Sequence, residues 1–243
     1  MRFKEYLFKY PTIASLISFI LFYFVIVYFL HISPMLGLII CLSIAVHEYS
    51  HVAAMKIVKI PVKAVLFIPL LGAVAIGSAE KAWTRKQECF IALAGPLMGY
   101  LTILPVYLLY KITGDQVFFY SMIPIAVINL FNLLPVSPLD GGRVIKSVLM
   151  SIKPSSKIIG FVIWVLLASA SVAVVVVLKA YIIAIAIGYF GYKEIKDEWL
   201  IYKTFEKTNN ILLTKPLSVG YQISYLFSWL VLVSWPFLVY FFA

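Results

Sequence analysis

Apolar residues fall in runs of about twenty, parted by short clusters of charge, and a 30 Å hydrocarbon layer needs a helix of about that length. The runs predict spans at 12–31, 35–56, 89–110, 117–136, 158–178, 180–192 and 222–243. The sixth is short, and 158–192 reads equally as one long tilted helix followed by a re-entrant piece, which would reverse the side of everything after it. Residues 60–80 are apolar but interrupted by Pro61, Pro69, Gly72 and Gly77. Irregular backbone of that hydrophobicity persists only where protein or a water cavity satisfies its polar groups, so a re-entrant loop or short β-hairpin is expected there. The stretch 193–221 is polar and predicts an interfacial or cytoplasmic helix with a linker. The expected fold class is an all-α polytopic membrane protein of about six or seven transmembrane helices.

Composition narrows the choice. Of 243 residues, 63% are hydrophobic, against roughly 45–50% in a soluble domain. Charged residues make up 12%, about half the usual share. A disordered chain is excluded on these grounds, and a soluble globule is disfavoured. The net charge of +10 does not point to nucleic acid, because the basic residues flank apolar runs and form no polar face of their own. It points to orientation instead. With the N-terminus cytoplasmic, 18 of the 20 basic residues fall inside, leaving only Lys111 and Lys179 outside. Arg2, Lys4 and Lys9 precede an apolar run, Ile13 to Leu30, that is longer than a signal-peptide core and has no small-x-small cleavage pattern after it, so a retained first span is expected. Cys41 and Cys89 sit in different apolar segments and read as free buried thiols.

The second span contains His47, Glu48 and His51, the pattern HExxH. Residues four apart share a helix face, so both imidazoles can reach one metal ion while Glu48, turned by about 100°, faces the water such an ion activates. That is the arrangement of a zinc hydrolase. Counted from Lys56 at 1.5 Å per residue, His47 lies about 13 Å below the membrane edge. An ionised carboxylate at that depth costs roughly 2.5–3.5 kcal/mol on insertion scales, and a cation offsets it. Two histidines leave zinc one protein ligand short if a fourth position is to hold water. Asp140 is the candidate, in the run Asn129-Leu-Phe-Asn132-Leu-Leu-Pro135-Val-Ser-Pro138-Leu-Asp140-Gly-Gly142. Pro135 and Pro138 should end the fourth helix, and Gly141 and Gly142 should let the chain turn and bring Asp140 back. Zn²⁺ with two neutral imidazoles, Asp140 and Glu48 sums to zero formal charge, as a low-dielectric site requires.

HExxH in one span with NxxPxxPLDGG at the end of another resembles the site-2 protease family of intramembrane zinc metalloproteases, and Ala94-Gly-Pro-Leu97 resembles that family's motif between the two. The resemblance covers residues 35 to about 150. It implies a three-helix catalytic core, zinc held by His47, His51 and Asp140, Glu48 as the base, and Asn132 near the substrate strand. Two positions depart from the family pattern: Pro69-Leu-Leu-Gly72 stands where a Gly-Gly pair commonly follows the proline, and Met98-Gly99 where an Asn commonly follows AGPL. Gly95, Pro96 and Gly99 read as close helix packing with a mild kink.

The expected organisation is a single membrane domain over 1–243: a first span (1–34), the catalytic core (35–150), C-terminal spans (151–192), the polar cytoplasmic segment (193–221) and a last span (222–243). The expected activity is hydrolysis of a peptide bond within or near the transmembrane segment of a membrane-anchored protein or peptide, by a multi-pass cell-membrane protein. Its partners are that substrate, the lipid bilayer and a regulatory membrane protein, with no nucleic acid. The alternative is a metal-binding membrane regulator without hydrolytic activity. A transporter is disfavoured, since no further titratable residues stand at mid-span elsewhere.

Overall fold

A 20-residue helix, α1 (Pro11–Leu30), opens the part of the chain that the computed structural model describes, which comprises residues 11–68, 72–77, 84–135, 139–152 and 216–242. The spans expected at 158–178 and 180–192, and the 193–221 segment up to 215, lie outside the described residues. α1 starts on a proline, whose missing N–H is no loss in a first turn, and contains no glycine. It stops at His31, which takes a positive φ of 49°. Ser33 then accepts a hydrogen bond from the Leu36 amide and Pro34 fills the first helical position, so α2 (Pro34–Ile57) begins after a three-residue turn. α2 ends where Ile60 donates back to the Met55 carbonyl across Lys59, another positive-φ residue.

After Pro61 the chain extends. Strand β1 (Val62–Ile68) pairs antiparallel with β2 (Gly72–Gly77), Val65 opposite Ala75 and Phe67 opposite Ala73, with an irregularity between Val62 and Ala64. β1 is held from its other side by α1. The Ser15 hydroxyl donates to the Val65 carbonyl at 2.5 Å, and the Phe67 amide donates to the Ser18 hydroxyl at 3.2 Å. Val65 and Phe67 therefore direct their main-chain groups away from β2, and their hairpin partners Ala75 and Ala73 direct theirs away from β1. Phe22, Cys41, Val52, Val65 and Phe67 form the apolar core that joins α1, α2 and the hairpin, with Phe19 edge-on to Phe67.

α3 (Arg85–Leu101) begins four residues earlier than the apolar run. Thr84 and Gln87 explain the difference, because each side chain accepts from the other's amide in a capping box that brings the polar turn into the helix. A break at Thr102 separates α3 from α4 (Ile103–Thr113). Pro105 cannot donate to the Leu101 carbonyl, and the Thr102 amide is shared between the Met98 and Gly99 carbonyls. Gly114, left-handed at φ 70°, turns the chain into α5 (Gln116–Asn132). α5 ends just ahead of Pro135, as the proline pattern predicts, with a tightened final turn in which Leu133 and Leu134 donate to Leu130 and Phe131.

The helix α6 (Asp140–Ile152) corrects the reading of 141–142 as a turn. Both glycines lie inside its first turn, and a Cβ on Gly141 would overlap the Leu133 and Leu134 carbonyls, so the glycine serves close approach. Val144, Ser147, Val148 and Ser151 form its buried face. The last helix, α7 (Val219–Phe242), packs on α6, and Trp229 Nε1 donates to the Leu133 carbonyl at 2.8 Å. Among the described residues three apolar helices are long enough to cross a bilayer: Thr12–Leu30, Pro34–Ile57 and, counted through the Thr102 break, Arg85–Thr113. Contacts divide the chain into two compact units, 1–81 with 94–129 and 82–93 with 130–243.

Replacing Trp229 with Phe keeps the ring but removes the donor from the Leu133 carbonyl. The expected loss is about 1–3 kcal/mol, read as a lower thermal midpoint in detergent; an unchanged midpoint would show that water or another group serves that carbonyl equally well.

Candidate metal centre

α2 presents two faces. Leu42, Val46 and Tyr49 are exposed, whereas Ile40, Ser43, His47, His51, Ala54 and Met55 are buried, at the three- and four-residue intervals of one helical stripe. A single turn of this apolar helix thus delivers both histidines to the interior. Their rings stand nearly perpendicular, at 81°, and converge tip to tip, the two Nε2 atoms lying 3.2 Å apart. Two imidazoles bound to one tetrahedral zinc at 2.0–2.1 Å would hold their nitrogens about 3.3 Å apart, so the pair has the spacing of co-ligands. Glu48, partly buried, completes a group whose ligand atoms all lie within 4.8 Å of one another.

The site has a floor. A Cβ on Gly95 would overlap Nε2 of both histidines, so α3 passes directly against the two ring tips there. Close packing is the right account of this glycine, and what packs on it is the pair of imidazoles. One turn further on, a Cβ on Gly99 would overlap the carboxamide of Asn129. The Asn129 Oδ1 lies 2.9 Å from His47 Nδ1, and its Nδ2 donates to the Ile125 carbonyl at 2.8 Å. Ser43, a turn before His47, shares a 2.9 Å hydrogen bond with Thr102.

Asp140 belongs to the second unit, where it opens α6 and is buried. A carboxylate in a first turn is favoured by the unpaired amides there. Arg143 reaches Asp140 Oδ1 at 3.2 Å through Nη1 and Glu88 Oε1 at 2.6 Å through Nε, forming a carboxylate–guanidinium–carboxylate chain. Asn132 is the last residue of α5 and is half-buried. Sequence reasoning assigned nothing to Asn129, Arg143 or Glu88. A carboxamide three residues before a helix end in an apolar segment was the available signal for the first, since such a group needs an internal partner.

Residues 35–122 match the family model described as Peptidase family M50. That segment is similar to peptidase family M50, the family of the site-2 proteases. The M50 segment begins with α2 and ends within α5, so it contains HExxH and the Gly95 floor. Among curated proteins, the chain is 24% identical over 119 residues to the zinc metalloprotease MJ0392 of Methanocaldococcus jannaschii, an alignment covering 47% of this chain and 34% of that protein. The chain thus spans about a third of the length of the relative it matches.

Enlarging Gly95 should fill the M50 segment's cradle. Gly95→Val is expected to lower bound zinc, measured by elemental analysis of purified protein, at least tenfold while helical circular dichroism is retained; full zinc content would mean the histidines do not meet against this glycine.

Proposed function

We propose that this protein is an intramembrane zinc metalloprotease, hydrolysing a peptide bond within or near the membrane-spanning segment of a membrane-anchored protein. The observation that carries this reading is the 3.2 Å convergence of His47 and His51 beside Glu48, in a helix apolar enough to cross a bilayer. The match of residues 35–122 to the model of Peptidase family M50, and the chain's similarity to a protein named a zinc metalloprotease, support it.

In this reading His47, His51 and Asp140 are the residues that would hold zinc. Arg143, at one oxygen of that carboxylate, fixes its orientation and is itself held by Glu88. The Arg143–Glu88 pair is neutral as a unit, so the zero formal sum of the ion with Asp140 and Glu48 is preserved. Zinc, when bound, polarises a peptide carbonyl and acidifies water. Glu48 is the base. It takes the proton of the attacking water as the oxygen adds to the carbonyl carbon, then delivers it to the nitrogen as the C–N bond breaks.

A helical substrate hides its carbonyls in its own hydrogen bonds and must unwind before it is cut. The hairpin supplies an edge for the unwound strand by β-addition. On β1 the outward Val65 carbonyl and Phe67 amide are already engaged by Ser15 and Ser18, so β2 is the edge that receives substrate, through the outward groups of Ala73 and Ala75. Asn132 lies beside that bound strand. The hairpin is re-entrant, the chain is multi-pass, and its N-terminus is cytoplasmic, the last on the strength of the basic-residue bias. A regulatory membrane partner fits the same scheme.

Two experiments test this. Glu48→Gln is expected to retain zinc and lose cleavage of a co-expressed single-span substrate by several orders of magnitude; a zinc-replete wild type that cleaves nothing across a substrate panel would favour the non-hydrolytic regulator. Prolines at Ala73 and Ala75 delete outward donors without touching the ladder to β1, and an edge strand tolerates proline. The double variant should keep its zinc and lose most cleavage, and undiminished turnover would remove β2 from the substrate path.

A further inference from the structure

We infer that Asn129 is a positioning residue for the metal centre, and that its carboxamide dictates which nitrogen of His47 is available to the ion; this rests on the reading of His47 as a metal ligand. The orientation of the amide follows from its surroundings. The Ile125 carbonyl can only accept a hydrogen bond, so the group 2.8 Å from it must be the NH₂ of Asn129. The carbonyl oxygen of the amide therefore faces His47 Nδ1 at 2.9 Å, and that oxygen too can only accept. The proton of a neutral His47 is thus on Nδ1, and Nε2, the atom aimed at His51, carries the lone pair.

Burial makes this assignment binding. His47 and Asn129 are 3% and 1% exposed, so water cannot readily substitute for the lost partner in the other tautomer. Gly99 is part of the device. Any side chain there would overlap the amide and drive it from Nδ1, which accounts for a glycine one turn beyond the Gly95 floor. A carboxamide also performs this task without adding charge, whereas a carboxylate would upset the neutral sum of the proposed centre.

The test has two readouts. The ¹⁵N spectrum of histidine-labelled, metal-free protein, with His47 identified by its loss in His47→Asn, is expected to report Nδ1–H in the wild type, a tautomer mixture in Asn129→Leu, and Nδ1–H again in Asn129→Asp, which keeps an acceptor. Competition with a chelator is expected to show Asn129→Leu binding Co²⁺ about 10- to 100-fold more weakly than the wild type, with Asn129→Asp closer to the wild-type value. A wild-type His47 protonated at Nε2, or a folded Asn129→Leu with wild-type Co²⁺ affinity, would overturn the inference. If the wild type binds no Co²⁺ or Zn²⁺, the metal reading fails, and the tautomer measurement still decides the role of Asn129. The wild-type spectrum also serves if Asn129→Leu does not fold.

Discussion

A polar group taken into an apolar helix bundle must find every partner inside the protein, and an imidazole has two nitrogens to satisfy. That requirement organises the first unit. His47 turns one nitrogen to the carboxamide of Asn129 and the other toward His51. The amide in turn donates through Nδ2 to the Ile125 carbonyl. Two glycines of α3, one turn apart, let the backbone come close enough for this chain of contacts to form. Ser43 and Thr102 close another polar pair a turn along α2, at the point where α3 gives way to α4. Every one of these residues sits in a segment that hydropathy alone would call featureless.

The ligand-type residues were legible because their signal is local. HExxH fixes three side chains by helical spacing within five residues, and the structure needs nothing beyond α2 to bring them together. Asn129 was not legible for the opposite reason. It lies 82 positions from His47, on a helix whose rotation about its axis no sequence period specifies, so only the packed structure shows that it meets the imidazole. Gly95 was visible as part of a motif, but the identity of the group packed on it was not. Gly99 departs from the usual pattern of the family that the sequence resembles, and the carboxamide arriving from α5 occupies the space that a side chain there would need.

Element types follow the same division. α1, α2 and the stop before Pro135 were readable from run length and proline chemistry. The early start of α3 was missed because a capping box converts charged residues, ordinarily counted as loop, into a first helical turn. α6 was missed because glycine reads as flexibility, whereas Gly141 is helical and is small in order to admit the Leu133 and Leu134 carbonyls. Its stripe of Val144, Ser147, Val148 and Ser151 is a 3.6-residue pattern that a search for long apolar runs passes over.

The two serine hydroxyls that α1 lays along β1 bear on how the chain is made. A lone hairpin has two open sides, and each is a template on which another chain can stack. α1 precedes β1 in the order of synthesis, and in the folded chain the hydroxyls of Ser15 and Ser18 occupy the outward Val65 carbonyl and Phe67 amide. The first helix thereby covers the outer side of β1, where another chain could otherwise add as a strand.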